Sequence, residues 1–243
     1  MSLRATLATA HRILLQLRND PRTVGLMLLV PALLMILLRY MIGSVAAFNR
    51  IAPALLGLFP FLVMFLVTSV AMLRERTSAT LERLLTTPMG KFDLLAGYEI
   101  AFASVAIVQV GLVSAISLAW LGMAVAGSLG ILLLIAVLDA LLGVALGLFV
   151  SAFARTEFQA VQFLPVVVLP QWLLCGLFVP RDQMAPALEW ISRAMPLTYA
   201  VQALDRVASE PSPDRLIVRD IVVIVACVVS ALALGAGTLQ RRS

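Results

Sequence analysis

Charge is scarce in this chain. Only 13% of its 243 residues are Asp, Glu, Lys or Arg, about half the share usual in a soluble domain. Hydrophobic residues make up 62% and the mean hydropathy is +1.04, which excludes an ordinary soluble fold and points to a membrane protein. Lysine occurs once, at Lys91, so the net charge of +5 rests almost wholly on arginine. In such a chain that charge belongs to the two sides of a bilayer rather than to nucleic acid. Histidine also occurs once. His11 lies outside every apolar run, so a Ser/His protease within the membrane is excluded and a solvated side chain is the plain reading. Asp139 is the one acid in the middle of an apolar run. A metal enzyme needs clustered ligands and a proton-driven carrier several buried ionisable groups; neither pattern is present. The two cysteines, Cys175 and Cys227, sit inside apolar runs and read as buried free thiols. A phosphate-binding loop is missing too. The one Gly-Lys pair, Gly90–Lys91, has Leu85 where the first glycine should stand and Phe92 where Ser or Thr is required. The chain is therefore not read as an enzyme.

What is present is a series of long apolar windows. A hydrocarbon core about 30 Å thick needs about 20 apolar residues in a helix. Six windows qualify: 23–42, 51–73, 94–120, 130–154, 158–179 and 216–239. The third exceeds the need, so it starts below the surface or tilts. The expectation is an all-α integral membrane protein, one transmembrane domain over 1–243 with six spans. With the N-terminus in the cytoplasm, most of the 18 basic residues fall on the inner side, in keeping with the positive-inside rule. Both termini are then cytoplasmic. Residues 1–20 lack the continuous apolar core of a secretory signal. Leu3, Leu7, Ala10, Leu14 and Leu17 recur at helical spacing beside Arg4, His11 and Arg18, so 1–22 reads as an amphipathic helix on the inner surface. The outer segment 180–215 has five prolines around two short helical patterns, "ALEWISRAM" and "LTYAVQALDRV". Neither can span. A re-entrant helical hairpin fits, since broken helices are tolerated at membrane depth when packed on protein; an ordinary surface loop is the alternative.

Between the second and third windows runs "RERTSATLERLLTTPMG", from Arg74 to Gly90. Good helix formers end at Pro88. Leu81, Leu84 and Leu85 share one face, while Arg76, Glu82 and Arg83 point elsewhere. So short a helix cannot stand alone; it needs lipid, the N-terminal helix or another subunit. "RERTSATLERLLTTPMGKFDLLAGYEIAF" resembles the loop ahead of the third span in type-2 ABC exporter permeases, the membrane subunits of drug, lipid and polysaccharide exporters. The later "LFVPRDQMAPALEWISRAMPLTYAVQALDRV" resembles that family's outer loop. The resemblance implies that 74–90 carries a coupling helix seated in a cleft of a separate cytoplasmic ATPase, which binds ATP and magnesium and is expected in two copies. It implies that the N-terminal element is the family's connecting helix, and that two permeases pair, identical or related, in the inner membrane of a prokaryote. The docking candidates are Arg74, Glu75, Arg76, Thr77, Leu81, Glu82, Arg83, Leu84 and Leu85: leucines to fill a cleft and charges to orient it. The low aromatic content, 7%, leans the cargo towards drug-like or lipid-like molecules. A polysaccharide or glycolipid exporter of the same fold, and a proton-coupled carrier, are the alternatives.

Within the spans, an unpaired Asp139 would cost about 2.5–3.5 kcal/mol, so it should face protein or a watery path. It is either a hydrogen-bonded structural group or part of a substrate path or gate. Gly143, Gly147 and Ser151 follow it at four-residue intervals; Gly143 and Gly147 form a small-residue pair for close helix packing. Glu99, near the inner end of its window, either pairs with Arg74, Arg76 or Arg83 or reaches inner water. Gln109, Gln159, Gln162 and Gln171 either line a path or hold helices together. Phe163, Trp172 and Phe178 either meet an apolar substrate or face lipid.

Overall fold

The computed structural model describes residues 3–77, 90–211 and 214–238, and every regular element among them is helical. In chain order these are α1 (Leu3–Arg18), α2 (Pro21–Ile42), α3 (Val45–Thr77), α4 (Lys91–Ala119), α5 (Leu129–Val150), α6 (Glu157–Phe163), α7 (Leu169–Leu174), α8 (Pro186–Arg193), α9 (Pro196–Ser209) and α10 (Arg215–Thr238). Among the described residues, five helices are long and apolar enough to cross a membrane: α2, α3, α4, α5 with the turn that follows it, and α10.

The window 158–179 is helical but jointed. α6 passes through a π-helical stretch, Leu164–Val168, into the single-turn α7, and the chain leaves regular structure after Leu174. Pro165 and Pro170 explain the joint. Each lacks the N–H that would close an α-helical turn. The ladder widens instead, and Leu169 N–H reaches back to Leu164 O.

The other boundaries follow local chemistry. Asp20 caps α2, accepting from Thr23 N–H at 3.2 Å and from its hydroxyl at 2.6 Å, with Pro21 in the first turn. Gly43, at φ 70°, ends α2 in the left-handed conformation. α3 is the central post: its 33 residues span about 50 Å, and α2, α4, α5 and α9 all pack on it. Gly143 and Gly147 let α5 come in close. A methyl group at Gly143 would strike the Phe61 carbonyl, and one at Gly147 the Thr68 hydroxyl and Phe65 carbonyl. Thr68 turns its hydroxyl back to Met64 O at 2.7 Å and lies 3.3 Å from Val144 O.

α1 packs on α4, and of the expected stripe Ala10, Leu14 and Leu17 face the bundle. Thr6, Thr9, Ala10 and Ile13 are buried, while Leu3 and Leu7 stay exposed. The reason is Gly97, where a Cβ would meet Thr9 and the Thr6 carbonyl. Small side chains on both helices bring the axes together; Leu14 and Leu17 pack against the core, and Leu3 and Leu7 are turned outward.

At the opposite end α8 and α9 form a hairpin. α9 sinks Leu197, Ala200, Val201, Leu204 and Val207 into the bundle against α3, α5 and α10. Ala126 and Gly127 donate to the last carbonyls of α9, Ala208 and Val207. Asp220, fully buried at the head of α10, accepts from Arg206 at 2.8 Å and Arg219 at 2.7 Å, locking α9 to the final helix.

Candidate functional site

At the end of α3, three consecutive charged side chains leave the helix about 100° apart, so each meets a different neighbour. Arg74 forks onto Glu157 of α6, Nε to Oε1 at 2.8 Å and Nη2 to Oε2 at 3.1 Å. Glu75, nearly buried, pairs with Arg12 of α1 at 2.7 Å. Arg76 donates to Thr238 Oγ1, at the end of α10, over 3.4 Å. Thr77 closes the helix by donating to Leu73 O at 3.1 Å. The last turn before the 78–89 segment is thus tied to the first helix, the jointed helix and the last helix of the chain. Beyond that segment α4 restarts at Gly90, whose N–H bonds to Asp93 Oδ2 at 3.1 Å. Leu81, Glu82, Arg83, Leu84 and Leu85 lie outside the described residues.

The charges behave as their surroundings dictate. Glu157 is exposed, and its hydrogen bond from Arg74 holds its carboxyl below the ordinary range. Asp20 is likewise held low, chiefly by the Thr23 hydroxyl and N–H. At the hairpin end the opposite happens: burial pushes the Asp205 carboxyl up to about 7.

Beside this cluster a cavity of about 540 Å³ opens between α1, α2, α3 and α4. One wall is Leu66, Val67, Val70 and Ala71 of α3; the Tyr98 and Phe102 rings of α4 face it, stacked at 6.3 Å. Gln16, Asp20, Thr23, Arg74 and Glu75 rim its polar end.

The other singled-out residues scatter. Asp139 is fully buried and stands off the cavity, its carboxyl against Gly57 of α3 near Leu204 of α9; neither oxygen has a hydrogen-bond partner among the described residues. Gln109 donates to the Met27 carbonyl. That acceptor is free because Pro31, four residues on, has no N–H to give it, so Gln109 mends the proline gap in α2. Gln162 is exposed and Phe163 half-buried. Gln159 accepts from Arg155 N–H at 2.8 Å and Gln171 from Leu197 N–H at 3.4 Å. Trp172 and Phe178 touch at 5.6 Å. Glu99 is buried with neither oxygen hydrogen-bonded among the described residues; Arg74 reaches Glu157 and Arg76 Thr238 instead, and Arg83 lies outside the described residues. The cavity and the roles of Arg12, Asp20 and Glu157 escaped the sequence reading. Asp20-Pro21 was a legible cap; the pairing partners are distant in sequence and carry no local signal.

The sequence matches the ABC-2 type transporter family over residues 4–207. Among curated proteins it is 28% identical over 149 residues to the probable multidrug ABC transporter permease YbhR of Escherichia coli, covering 61% of this chain and 40% of that one. It is 26% identical over 193 residues to the probable multidrug ABC transporter permease YbhS of the same organism, covering 79% and 51%. ABC transporter G family member 20 of Dictyostelium discoideum is 25% identical over 154 residues, 63% of this chain and 21% of that protein. The aligned part spans about half or less of each relative. Apolar helices in series, a charged break after α3 and a match over most of the length agree: the chain belongs to the ABC-2 type transporter family of membrane permeases.

Proposed function

We propose that this chain is the membrane subunit of an ATP-driven exporter, moving a drug-like or lipid-like molecule out of the cell. It works with a second permease and with cytoplasmic ATPases on separate chains, and those ATPases hold the ATP and magnesium. The supporting observation is the triple tie at the end of α3. A push on the 78–89 segment is felt first by Arg74, Glu75 and Arg76, and through them by α6, α1 and α10. A mobile partner below the membrane could thereby move the jointed helix and the bundle together. The multidrug names of two bacterial relatives favour a small amphiphilic cargo. On this reading the N-terminal face is cytoplasmic, the jointed α6–α7 segment serves as the sixth span, and Leu81, Leu84 and Leu85 fill the ATPase cleft.

The test is a double substitution, Leu81→Asp with Leu84→Asp, in the native complex. The ATPase should no longer co-purify, or should hydrolyse ATP without driving transport, while the permease still inserts. Unchanged association and transport would remove the docking role. Transport by the permease alone, driven by a proton gradient, would replace the reading with that of a carrier.

A further inference from the structure

The cavity beside the charge cluster has its own chemistry. Its α3 wall is all carbon: Leu66, Val67, Val70 and Ala71. Such a wall offers a sugar nothing to hydrogen-bond, and each polar group desolvated there would go unpaired. It suits a large apolar body, and a volume of about 540 Å³ lies within the usual span of small-ligand sites.

The rim decides the charge. Both arginines within reach are already committed. Arg74 is forked onto Glu157, which stands outside the lining, and Arg12 holds Oε1 of Glu75. What remains is acidic. Asp20 has its oxygens on the Thr23 hydroxyl and N–H, feels the Arg22 N–H and the more distant Arg74, and makes no ion pair among the described residues. Oε2 of Glu75 is buried without a hydrogen bond among the described residues, with the Tyr98 hydroxyl beside the carboxylate. Counting each arginine with its carboxylate, the rim keeps one negative charge, from Asp20. The stacked faces of Tyr98 and Phe102 add an attraction of the same sense, since aromatic faces favour cations.

We propose that this cavity binds an organic cation with a bulky apolar body, its charge towards Asp20 and Glu75 and its body between Val70 and Phe102. This deepens the exporter reading by naming the cargo's chemistry, but binding itself needs no ATPase. The cavity opens beside α1, whose exposed Leu3 and Leu7 mark a membrane-surface helix. Amphiphiles concentrated in that leaflet therefore lie next to the site.

The experiment uses the whole permease in lipid nanodiscs, without ATPase, and two probes of nearly equal size and opposite charge, tetraphenylphosphonium and tetraphenylborate. Binding is read by equilibrium dialysis as the saturable part above empty nanodiscs. Tetraphenylphosphonium should bind at one site per chain, at least about tenfold tighter than tetraphenylborate. Asp20→Asn removes the charge and keeps the helix cap, because Asn caps as well as Asp. It should weaken tetraphenylphosphonium about fivefold and leave tetraphenylborate unchanged or tighter. Val70→Trp should fill the cavity and abolish saturable binding of both, with the melting curve checked for folding. Equal binding of the two ions, or a tetraphenylphosphonium affinity untouched by Asp20→Asn, would overturn the proposal. ATP-driven transport that persists without tetraphenylphosphonium binding would sink this inference and spare the exporter reading. Tetraphenylphosphonium binding that survives while the permease alone transports on a proton gradient would do the reverse.

Discussion

Gln109 is best understood together with a residue 78 positions away in the chain. Pro31 leaves the Met27 carbonyl without a helical donor, and the Gln109 amide supplies one from the neighbouring helix. Gln109→Leu keeps the volume and removes the donor, leaving a buried carbonyl unpaired at a cost of about 1–3 kcal/mol. The melting temperature in detergent should fall, and Pro31→Ala in the same background should restore it, because alanine returns an N–H to Met27. A Gln109 lining a transport path would give no such rescue. Asp205 makes a pH argument. Its carboxyl is raised from 3.8 to about 7 by burial, so the folded chain holds a proton that the unfolded chain has shed. Its contribution to stability is fully present below pH 4 and is lost as pH rises through 7. Asp205→Asn should therefore be more stable than the parent above pH 7 and show no gain at pH 4. Thermal unfolding at the two pH values checks this.

Elements were legible where length and hydropathy alone decide them. Five windows became continuous helices because about 20 apolar residues bounded by Asp20-Pro21, Gly43 or Gly90 leave the backbone no other way to satisfy itself in lipid. The window 158–179 has the right composition, yet Pro165 and Pro170 act on the hydrogen-bond ladder, which a hydropathy window does not see. α1 shows the same limit from another side. The leucine spacing marks its most apolar stripe, but the contact with α4 is set by close approach at Gly97, which favours Thr6 and Thr9. The ion pairs of the candidate site were legible only as a list of charges, because Arg12–Glu75 and Arg74–Glu157 join residues 63 and 83 apart. The joint in α6–α7 carries its own prediction. Pro165→Ala with Pro170→Ala restores two N–H donors, so Val161 and Val166 carbonyls regain their helical partners. Amides of 164–170 should then exchange hydrogen more slowly, at least about tenfold. If the joint transmits motion from Arg74, transport should slow while ATP hydrolysis persists. Unchanged exchange would mean that the packing of α9, and not the prolines, holds the joint open.

At the scale of the molecule the two ends differ in kind. One gathers α1, the end of α3, Glu157 and Thr238; the other is closed by the α8–α9 hairpin and the 120–128 turn, pinned by Arg206, Arg219 and Asp220. The arginine excess lies at the first end, and a positive excess marks the cytoplasmic side. On the proposed orientation the hairpin end faces outward, and Trp190, exposed beside Arg193 at 4.9 Å, fits an interfacial aromatic. Two exposed positions decide this orientation: Asn19 at the first end and Asp182 at the second. In a background with Cys175→Ala and Cys227→Ala, a membrane-impermeant maleimide should label Asp182→Cys in intact cells at once. Asn19→Cys should react only after the membrane is opened. The reverse pattern would put the 78–89 segment outside the cell, where no ATPase could grip it, and the coupling role would fall with the orientation that it requires.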